Sequence, residues 1–232
     1  MAWRQFRAIL RKDLVRELRT REMLISMFLF VMLALVIFHY AFGGQDASGG
    51  REVNLTFFTG GMLWTVFIFA ALLGFNRSFA QEKDEDCLDG LLLCPVDRVT
   101  IFLAKMSGNL IFLLIIQVLA VPVFSLFFIK HSFAAHLPAF IVVTLLADLG
   151  LCILGTLLAS ISVHTRARDL LLPIIFMPLT VPVLIAATTA TTGIFAHGDG
   201  FAQLGGKLLF LAAFDAVFMV AAYGTCYFVI GE

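Results

Sequence analysis

The sequence predicts an all-α membrane protein with six transmembrane helices, and two observations support this fold class. Of its 232 residues, 61% are hydrophobic and only 14% are charged, whereas about a quarter of the residues in a soluble domain are charged. Six apolar stretches are also long enough, at about 20 residues or more, to cross a hydrocarbon core of roughly 30 Å. An even number of spans places both termini on the same side of the membrane.

The predicted spans are nearly continuous apolar runs, separated by polar or glycine-containing segments. They cover residues 23–42, 55–75, 106–129, 137–163, 170–192 and 206–230. The first run is too long for the apolar region of a typical signal peptide, so we interpret it as a retained span. Residues 1–232 are therefore expected to form a single integral membrane domain.

The positions of the basic residues predict the direction of the spans. Lys and Arg near the ends of spans are retained in the cytoplasm. With a cytoplasmic N-terminus, thirteen of the 16 basic residues lie inside, and the exceptions are Arg51, Lys130 and Lys207. Both termini are therefore expected in the cytoplasm. The formal net charge is zero, so no bulk basic character indicates a nucleic-acid partner.

Residues 1–22 are predicted to form an amphipathic helix at the membrane interface, before the first span. Its apolar side chains recur at helical spacing, and they are Trp3, Phe6, Leu10, Leu14 and Leu18. Such a helix lies in the headgroup region, with its apolar stripe toward the lipid bilayer and its basic residues near anionic lipid. Two interpretations remain open: an ordinary anchor, or an elbow that transmits motion into the first span.

The polar segment 77–105, between the second and third predicted spans, differs from an ordinary solvated loop. It combines an acidic run with a cluster of leucines and contains Pro95. One interpretation is a short cytoplasmic helix along the membrane, with acids facing the cytosol and in the first turn, and with Pro95 at its end. The alternative is a loop that packs its leucines beneath the bundle. The residues expected to contact a partner are Glu82, Asp84, Glu85, Asp86, Leu88, Asp89, Leu91, Leu92 and Leu93.

The predicted fifth span contains Pro173, Pro178 and Pro182, followed by a run of small residues over 186–193. Each proline removes a backbone donor, and the freed carbonyl groups must be satisfied by neighbouring helices, hydroxyls or water. We therefore expect this span to be broken or to lie inside the bundle. The small residues allow close approach of a partner helix. Packing alone explains these features, and so does a hinge beside a transport path.

Asp148 and Asp215 are the acids that lie well inside apolar stretches, while Asn109 and Gln117 are the clearest polar residues of the third span. Ionisable residues inside a membrane are functional candidates by default. Because no Lys or Arg lies deep enough to neutralise them, each acid is expected to be protonated, to hydrogen-bond across helices, or to face water. Structural hydrogen bonding and a role in a substrate path or in coupling both remain open.

The sequence contains no motif for chemistry of its own. It has no GxxxxGK[ST] phosphate-binding loop, no HExxH and no GxSxG in a suitable context. The four cysteines have no metal-binding or haem-attachment spacing, and no histidine has a second ligand at a meaningful distance along the chain. No catalytic residue, bound cofactor or metal is assigned to this chain. An intramembrane enzyme using Asp148 and Asp215 remains a conceivable alternative.

Two motifs in combination resemble the CcmB family, the membrane subunits of the haem-exporter ABC complex of cytochrome c maturation. The first is DCLDGLLLCP at residues 86–95, followed by FLAK at 102–105, and the second is LLLPIIFMPLTVPVLIAA at 170–187. The resemblance also covers the length, the six spans and the distribution of charge. It extends over nearly the whole chain.

The resemblance implies an ABC-2-like permease subunit in a bacterial cytoplasmic (inner) membrane, without an ATPase of its own. Its implied partners are a CcmA-like ATP-binding subunit, a CcmC-like membrane protein and a CcmE-like haem chaperone. ATP would bind the partner subunit, the complex would handle haem, and ATP use would release the haem-loaded chaperone. The coupling contact would then fall on residues 82–93. A different cargo remains an alternative, in which an ABC-2 permease exports a drug, a lipid or a glycan.

Overall fold

The computed structural model describes residues 2–43, 55–84, 97–128, 137–162 and 168–229, and in these ranges the protein is all-α. Seven helices follow one another in the described part of the chain. They are α1 (Ala2–Thr20), α2 (Glu22–Gly43), α3 (Leu55–Asp84), α4 (Arg98–Phe128), α5 (Leu137–Ser162), α6 (Arg168–His197) and α7 (Phe201–Val229). Helices α2 to α7 are each long and apolar enough to cross a membrane. The predicted fold class, an all-α protein with six transmembrane helices, is confirmed.

Several helices extend beyond the predicted spans. Helix α3 continues to Asp84, although the predicted span ends at residue 75, and α4 begins at Arg98 rather than at residue 106. Both ends of the predicted loop 77–105 are therefore helical. The reason is that hydropathy marks only the part of a helix inside the hydrocarbon, whereas backbone hydrogen bonding continues through polar residues that favour helix.

Helices α3 and α5 occupy the centre of the bundle. Within their most apolar 18 residues, 67% of α3 and 61% of α5 are buried, compared with 22% of α2 and 17% of α7. Helix α3 packs against α2, α4, α5 and α6, and α5 packs against α3, α4, α6 and α7. Their buried side chains, which include Trp64, Phe67, Phe75 and Leu151, join one continuous apolar core.

Glycines allow the central helices to approach their neighbours closely. Gly155 of α5 lies directly beneath the ring of Phe75 of α3, and a Cβ atom at position 155 would overlap that ring. A Cβ atom at Gly60 of α3 would lie 2.7 Å from the carbonyl oxygen of Thr188 on α6. The small-residue run of α6 therefore packs closely against a partner helix, as the sequence predicted.

The prolines of α6 are accommodated differently from the expectation. The helix is continuous from Arg168 to His197, with Pro173, Pro178 and Pro182 inside it, and Pro178 and Pro182 lie on its exposed face. The expectation of a broken or interior span was therefore wrong. The helix turns Pro178 and Pro182 outward, leaves Pro173 half-buried, and packs through other positions, where Phe176, Val183, Ala187 and Ala190 are buried.

Candidate functional site

Helix α1 docks against the beginning of α4. Phe6 and Ile9 of α1 pack with Ile101 and Ala104 of α4 in a small apolar cluster of their own. The predicted apolar stripe is only partly used, because Trp3 is 69% exposed and Leu18 is 56% exposed. The buried stripe instead runs along Ile9, Asp13 and Glu17, which are four residues apart and therefore share a helix face.

Two acids on this stripe have defined partners. The carboxylate of Asp13 forms an ion pair with Lys105 of α4 at 2.9 Å, and the Lys105 side chain is only 4% exposed. The carboxylate of Glu17 accepts hydrogen bonds from the backbone N–H groups of Met23 at 2.8 Å and Leu24 at 2.9 Å. Because the first N–H groups of a helix have no partner within it, Glu17 caps the N-terminus of α2.

The junction between α1 and α2 is a tight turn. Arg21 has a positive φ of 56°, and its N–H group donates to the carbonyl oxygen of Glu17 at 2.6 Å. Immediately after the turn, Glu22 of α2 forms an ion pair with Arg77 of α3. Helices α1, α2, α3 and α4 are therefore connected by charged side chains at the same end of the bundle.

The sequence did not identify these connections. The partners of Asp13, Glu17 and Lys105 lie far away in the sequence or on another helix, where spacing along the chain gives no indication of them. One sequence feature could have indicated these contacts: Asp13 and Glu17 are acids on the same face as Ile9, in an otherwise basic helix.

The structure describes only the beginning of the predicted coupling segment. Glu82 and Asp84 belong to the last turn of α3. The other seven candidates lie outside the described residues, and they are Glu85, Asp86, Leu88, Asp89, Leu91, Leu92 and Leu93. The contact of this segment with a partner stays a prediction.

Asp148 hydrogen-bonds across helices. Its Oδ1 accepts from Nε2 of Gln117 on α4 at 2.8 Å, and Asp148 is completely buried. Two turns further along α5, Thr156 accepts a hydrogen bond from Nδ2 of Asn109 at 3.1 Å. The polar residues of the third predicted span thus meet polar residues of the fourth, which is one of the arrangements that the sequence left open.

Asp215 occupies a different environment. It is 5% exposed, and its carboxylate packs on Gly150 of α5, where a Cβ atom would lie 2.6 Å from Oδ1. Neither carboxylate oxygen has a hydrogen-bond partner within the described ranges. Because Gly150 follows Asp148 by two residues, or about 200° around the helix, the two carboxyl groups lie against different faces of α5. No hydrogen bond joins the two carboxyl groups within the described ranges, and the alternative of an intramembrane enzyme that uses both acids stays a hypothesis.

Other polar and aromatic contacts also join helices of the bundle. The indole N–H of Trp64 donates to the hydroxyl of Thr191 at 2.9 Å, between α3 and α6. His39 stacks on Phe127 with ring centroids 4.6 Å apart. In the part of the chain that the structure describes, no three His, Cys, Asp or Glu residues are grouped in a way that could hold a metal ion.

A model of the CcmB family, described as CcmB protein, matches residues 4–226. The match includes all six helices of membrane length as well as α1 from its third residue onward. It therefore covers both the junction of α1 and α2 and the buried polar residues of α4, α5 and α7.

Individual proteins give the same result. The chain is 29% identical over 184 residues to a protein named Heme exporter protein B from Rhodobacter capsulatus, which covers 77% of this chain and 78% of that protein. A protein of the same name from Pseudomonas aeruginosa is 28% identical over 171 residues, or 74% of each chain. A third, from Haemophilus influenzae, is 24% identical over 185 residues, or 79% of this chain and 80% of the relative.

Proposed function

Because the chain belongs to the CcmB family, we propose that it is the membrane subunit of a haem-exporting ABC complex that serves cytochrome c assembly. The observation that supports this proposal is the family match over residues 4–226, together with relatives that are named Heme exporter protein B. The proposed location is a bacterial cytoplasmic membrane, with both termini inside. The proposed role is non-catalytic, since the sequence has no phosphate-binding loop.

The energy for helix movement would come from a separate ATP-binding subunit. In this proposal, a CcmA-like ATPase docks on residues 82–93, where acids are interleaved with leucines. Acidic side chains would steer and orient the contact, and the leucines would provide buried apolar area. A CcmC-like membrane protein and a CcmE-like haem chaperone complete the proposed complex, in which ATP use releases the loaded chaperone.

The position of α3 supports residues 82–93 as the place where movement of the ATPase is passed to the transmembrane helices. The helix is continuous from Leu55 to Asp84, so the first residues of the proposed contact belong to the same rigid element as the central span. Helix α3 packs against α2, α4, α5 and α6. A displacement at its cytoplasmic end would therefore reach four other helices directly, because packed helices move as discrete rigid units.

The docking of α1 on α4 provides a second connection between the proposed ATPase contact, residues 82–93, and the bundle. Residues 85–97 lead directly into α4, and the start of α4 is joined to α1 by the ion pair of Lys105 and Asp13. Helix α1 is in turn joined to α2 through the cap that Glu17 provides. We therefore propose that α1 acts as an elbow that moves with α4, rather than as a passive anchor.

The coupling proposal is tested by reversing charge in the proposed contact. The double variant Asp86→Lys with Asp89→Lys is expected to weaken the affinity for the ATPase by about tenfold or more, which corresponds to about 1.4 kcal/mol, and therefore to reduce the amount of assembled cytochrome c. Haem staining of membranes measures the assembled cytochrome, and immunoblotting confirms that the chain itself is as abundant as in the wild type.

The matched control reverses two acids on the opposite side of the membrane, by Asp46→Lys with Glu52→Lys. This control is expected to assemble cytochrome c normally. Normal assembly in the Asp86 and Asp89 variant at normal abundance would show that residues 82–93 are not the coupling contact.

The cargo is tested separately. The chain is co-purified with the ATPase, and the complex is measured for its subunit stoichiometry and for the absorbance spectrum of haem. A complex that transports a drug, lipid or glycan and does not affect cytochrome c would refute haem export.

A further inference from the structure

The contact between Gln117 and Asp148 forms one hydrogen bond and leaves two buried polar atoms without a partner within the described residues. Nε2 of Gln117 donates to Oδ1 of Asp148 at 2.8 Å, and the residues are 3% and 0% exposed. The second polar atom of each head, Oε1 of Gln117 and Oδ2 of Asp148, is buried and has no hydrogen-bond partner within the residues described. Buried polar atoms of this kind are rare, because each one loses its hydration without compensation.

Oε1 of Gln117 and Oδ2 of Asp148 both lack a hydrogen-bond donor among the described residues. An amide carbonyl oxygen and a carboxylate oxygen are acceptors, so each of the two atoms lacks a donor. Interchanging the amide oxygen and nitrogen of Gln117 does not remove the problem, because the carbonyl oxygen would then face Oδ1 of Asp148 and two acceptors would again meet without a hydrogen between them. A hydrogen bound to Oδ2 and directed at Oε1 would supply the donor that Oε1 lacks and would make Oδ2 a donor itself.

Among the described residues, no side chain donates a hydrogen to either of these two oxygens. Helix α5 contributes Thr144 and Cys152, which are one turn before and after Asp148 and are both buried. Oγ1 of Thr144 makes no hydrogen bond to the carboxyl group. From α7, Asp215 is a second acid that packs on Gly150. The nearest base along α4 is Lys105, twelve residues or about 18 Å from Gln117 along the helix, and it pairs with Asp13.

We propose that Asp148 is a proton-binding site whose neutral carboxyl group forms a ring of two hydrogen bonds with the amide of Gln117. A proton from water binds a lone pair of Oδ2, and the resulting O–H group donates to Oε1 of Gln117. Nε2 of Gln117 continues to donate to Oδ1. The carboxyl and carboxamide groups are both planar with two polar atoms at one end, so their heads match each other edge to edge.

The proton therefore joins α4 to α5 in the middle of the apolar bundle without placing a charge there. Ionised acids at this depth are unfavourable unless they face water or a cation, and neither Asp148 nor Gln117 faces solvent. This inference is independent of the cargo and of the ATPase contact. It also distinguishes Asp148 from Asp215, whose two oxygens lack an amide partner.

Infrared spectroscopy tests the proposal directly. The full chain is prepared in lipid nanodiscs at neutral pH with aspartate labelled with carbon-13 at the side-chain carboxyl. A protonated carboxyl group has a C=O stretching band that an ionised one lacks, and the isotope shifts that band if it belongs to aspartate. We expect a labelled protonated-carboxyl band in the wild type that is reduced or lost in Asp148→Asn.

Asp215→Asn is the matched control, because it removes the other buried acid of the spans by the same isosteric change. The proposal is overturned if the wild type has no labelled protonated-carboxyl band, or if Asp215→Asn removes all of it. If Asp148→Asn fails to fold, Asp148→Glu takes its place, because a glutamate carboxyl group carries no label and the labelled band should still be reduced or lost.

The Gln117→Leu variant tests the partner. Loss of the amide removes both hydrogen bonds of the ring, so the C=O band assigned to Asp148 should shift to higher frequency while it remains protonated. An unchanged band position would show that the proton does not lie between these two side chains. Thr156→Val serves as the control, because it removes the other polar contact between α4 and α5 and should leave the band in place.

Discussion

Lys105 of α4 and Asp13 of α1 form an ion pair of 2.9 Å in which the two side chains are 4% and 12% exposed. This contact joins the helix that precedes the first span to the helix that follows the proposed ATPase contact. It lies beside the apolar cluster of Phe6, Ile9, Ile101 and Ala104. The N-terminal helix is therefore part of the bundle as well as part of its membrane surface.

Removal of either charge of this pair should destabilise the chain. Lys105→Met or Asp13→Leu removes this buried ion pair but leaves one of its charges in place, and we expect each to lower the free energy of unfolding by up to about 3 kcal/mol. The loss should be smaller for Lys105→Met, because Asp13 keeps its ion pair with Lys12 at 3.4 Å. The double variant should cost clearly less than the sum of the two, because neither charge then remains buried. Unfolding of the purified chain in mixed micelles measures all three values. Additive losses would show that the two side chains do not interact.

Glu17 should contribute as a cap rather than as a surface charge. Glu17→Ala removes the acceptor for the N–H groups of Met23 and Leu24, and we expect a loss of about 1 kcal/mol. Glu17→Gln keeps a carbonyl acceptor and should lose less. Glu22 provides the control, because its side chain is 58% exposed and its ion pair with Arg77 lies at the surface, where such pairs contribute little. A Glu22→Ala variant as unstable as Glu17→Ala would contradict the capping role.

These features show where sequence patterns stop being sufficient. Helical spacing located α1 and predicted one apolar stripe, yet the buried face runs along Ile9, Asp13 and Glu17. The difference arises because a partner helix, and not only lipid, covers α1. Periodicity identifies the residues that share a face, but only the position of α4 decides which face is covered.

The packing of Gly155 predicts a strong asymmetry between glycines. Gly155→Ala introduces a methyl group into the ring of Phe75, and we expect it to cost about 2 kcal/mol, as overpacking usually does. Gly224→Ala has open space around the new methyl group and should be neutral or slightly stabilising, since Ala favours helix. The same unfolding assay compares the two. Equal effects would contradict the close contact of α3 and α5.

The prolines of α6 allow a test of the hinge hypothesis. Pro178 and Pro182 lie on the exposed face, so Pro178→Ala with Pro182→Ala should create no cavity. Each restored N–H group adds a helical hydrogen bond, and the double variant should therefore be more stable. If the prolines form a hinge, this stiffer helix should assemble less cytochrome c at equal abundance. Normal assembly in a more stable variant would assign the prolines to packing alone. Haem staining and unfolding together provide both measurements.

The sequence by itself determined the all-α class, the six helices of membrane length and the family, because hydrophobic length and local motifs are properties of contiguous residues. It also identified Asp148, Asn109 and Gln117 as polar residues in apolar surroundings. Only the tertiary structure decided that Gln117 meets Asp148, that Asp215 packs on Gly150 instead, and that Lys105 meets Asp13. These pairings depend on how the helices are rotated about their axes and on which neighbours they have, and both are decided by the packing of the whole bundle.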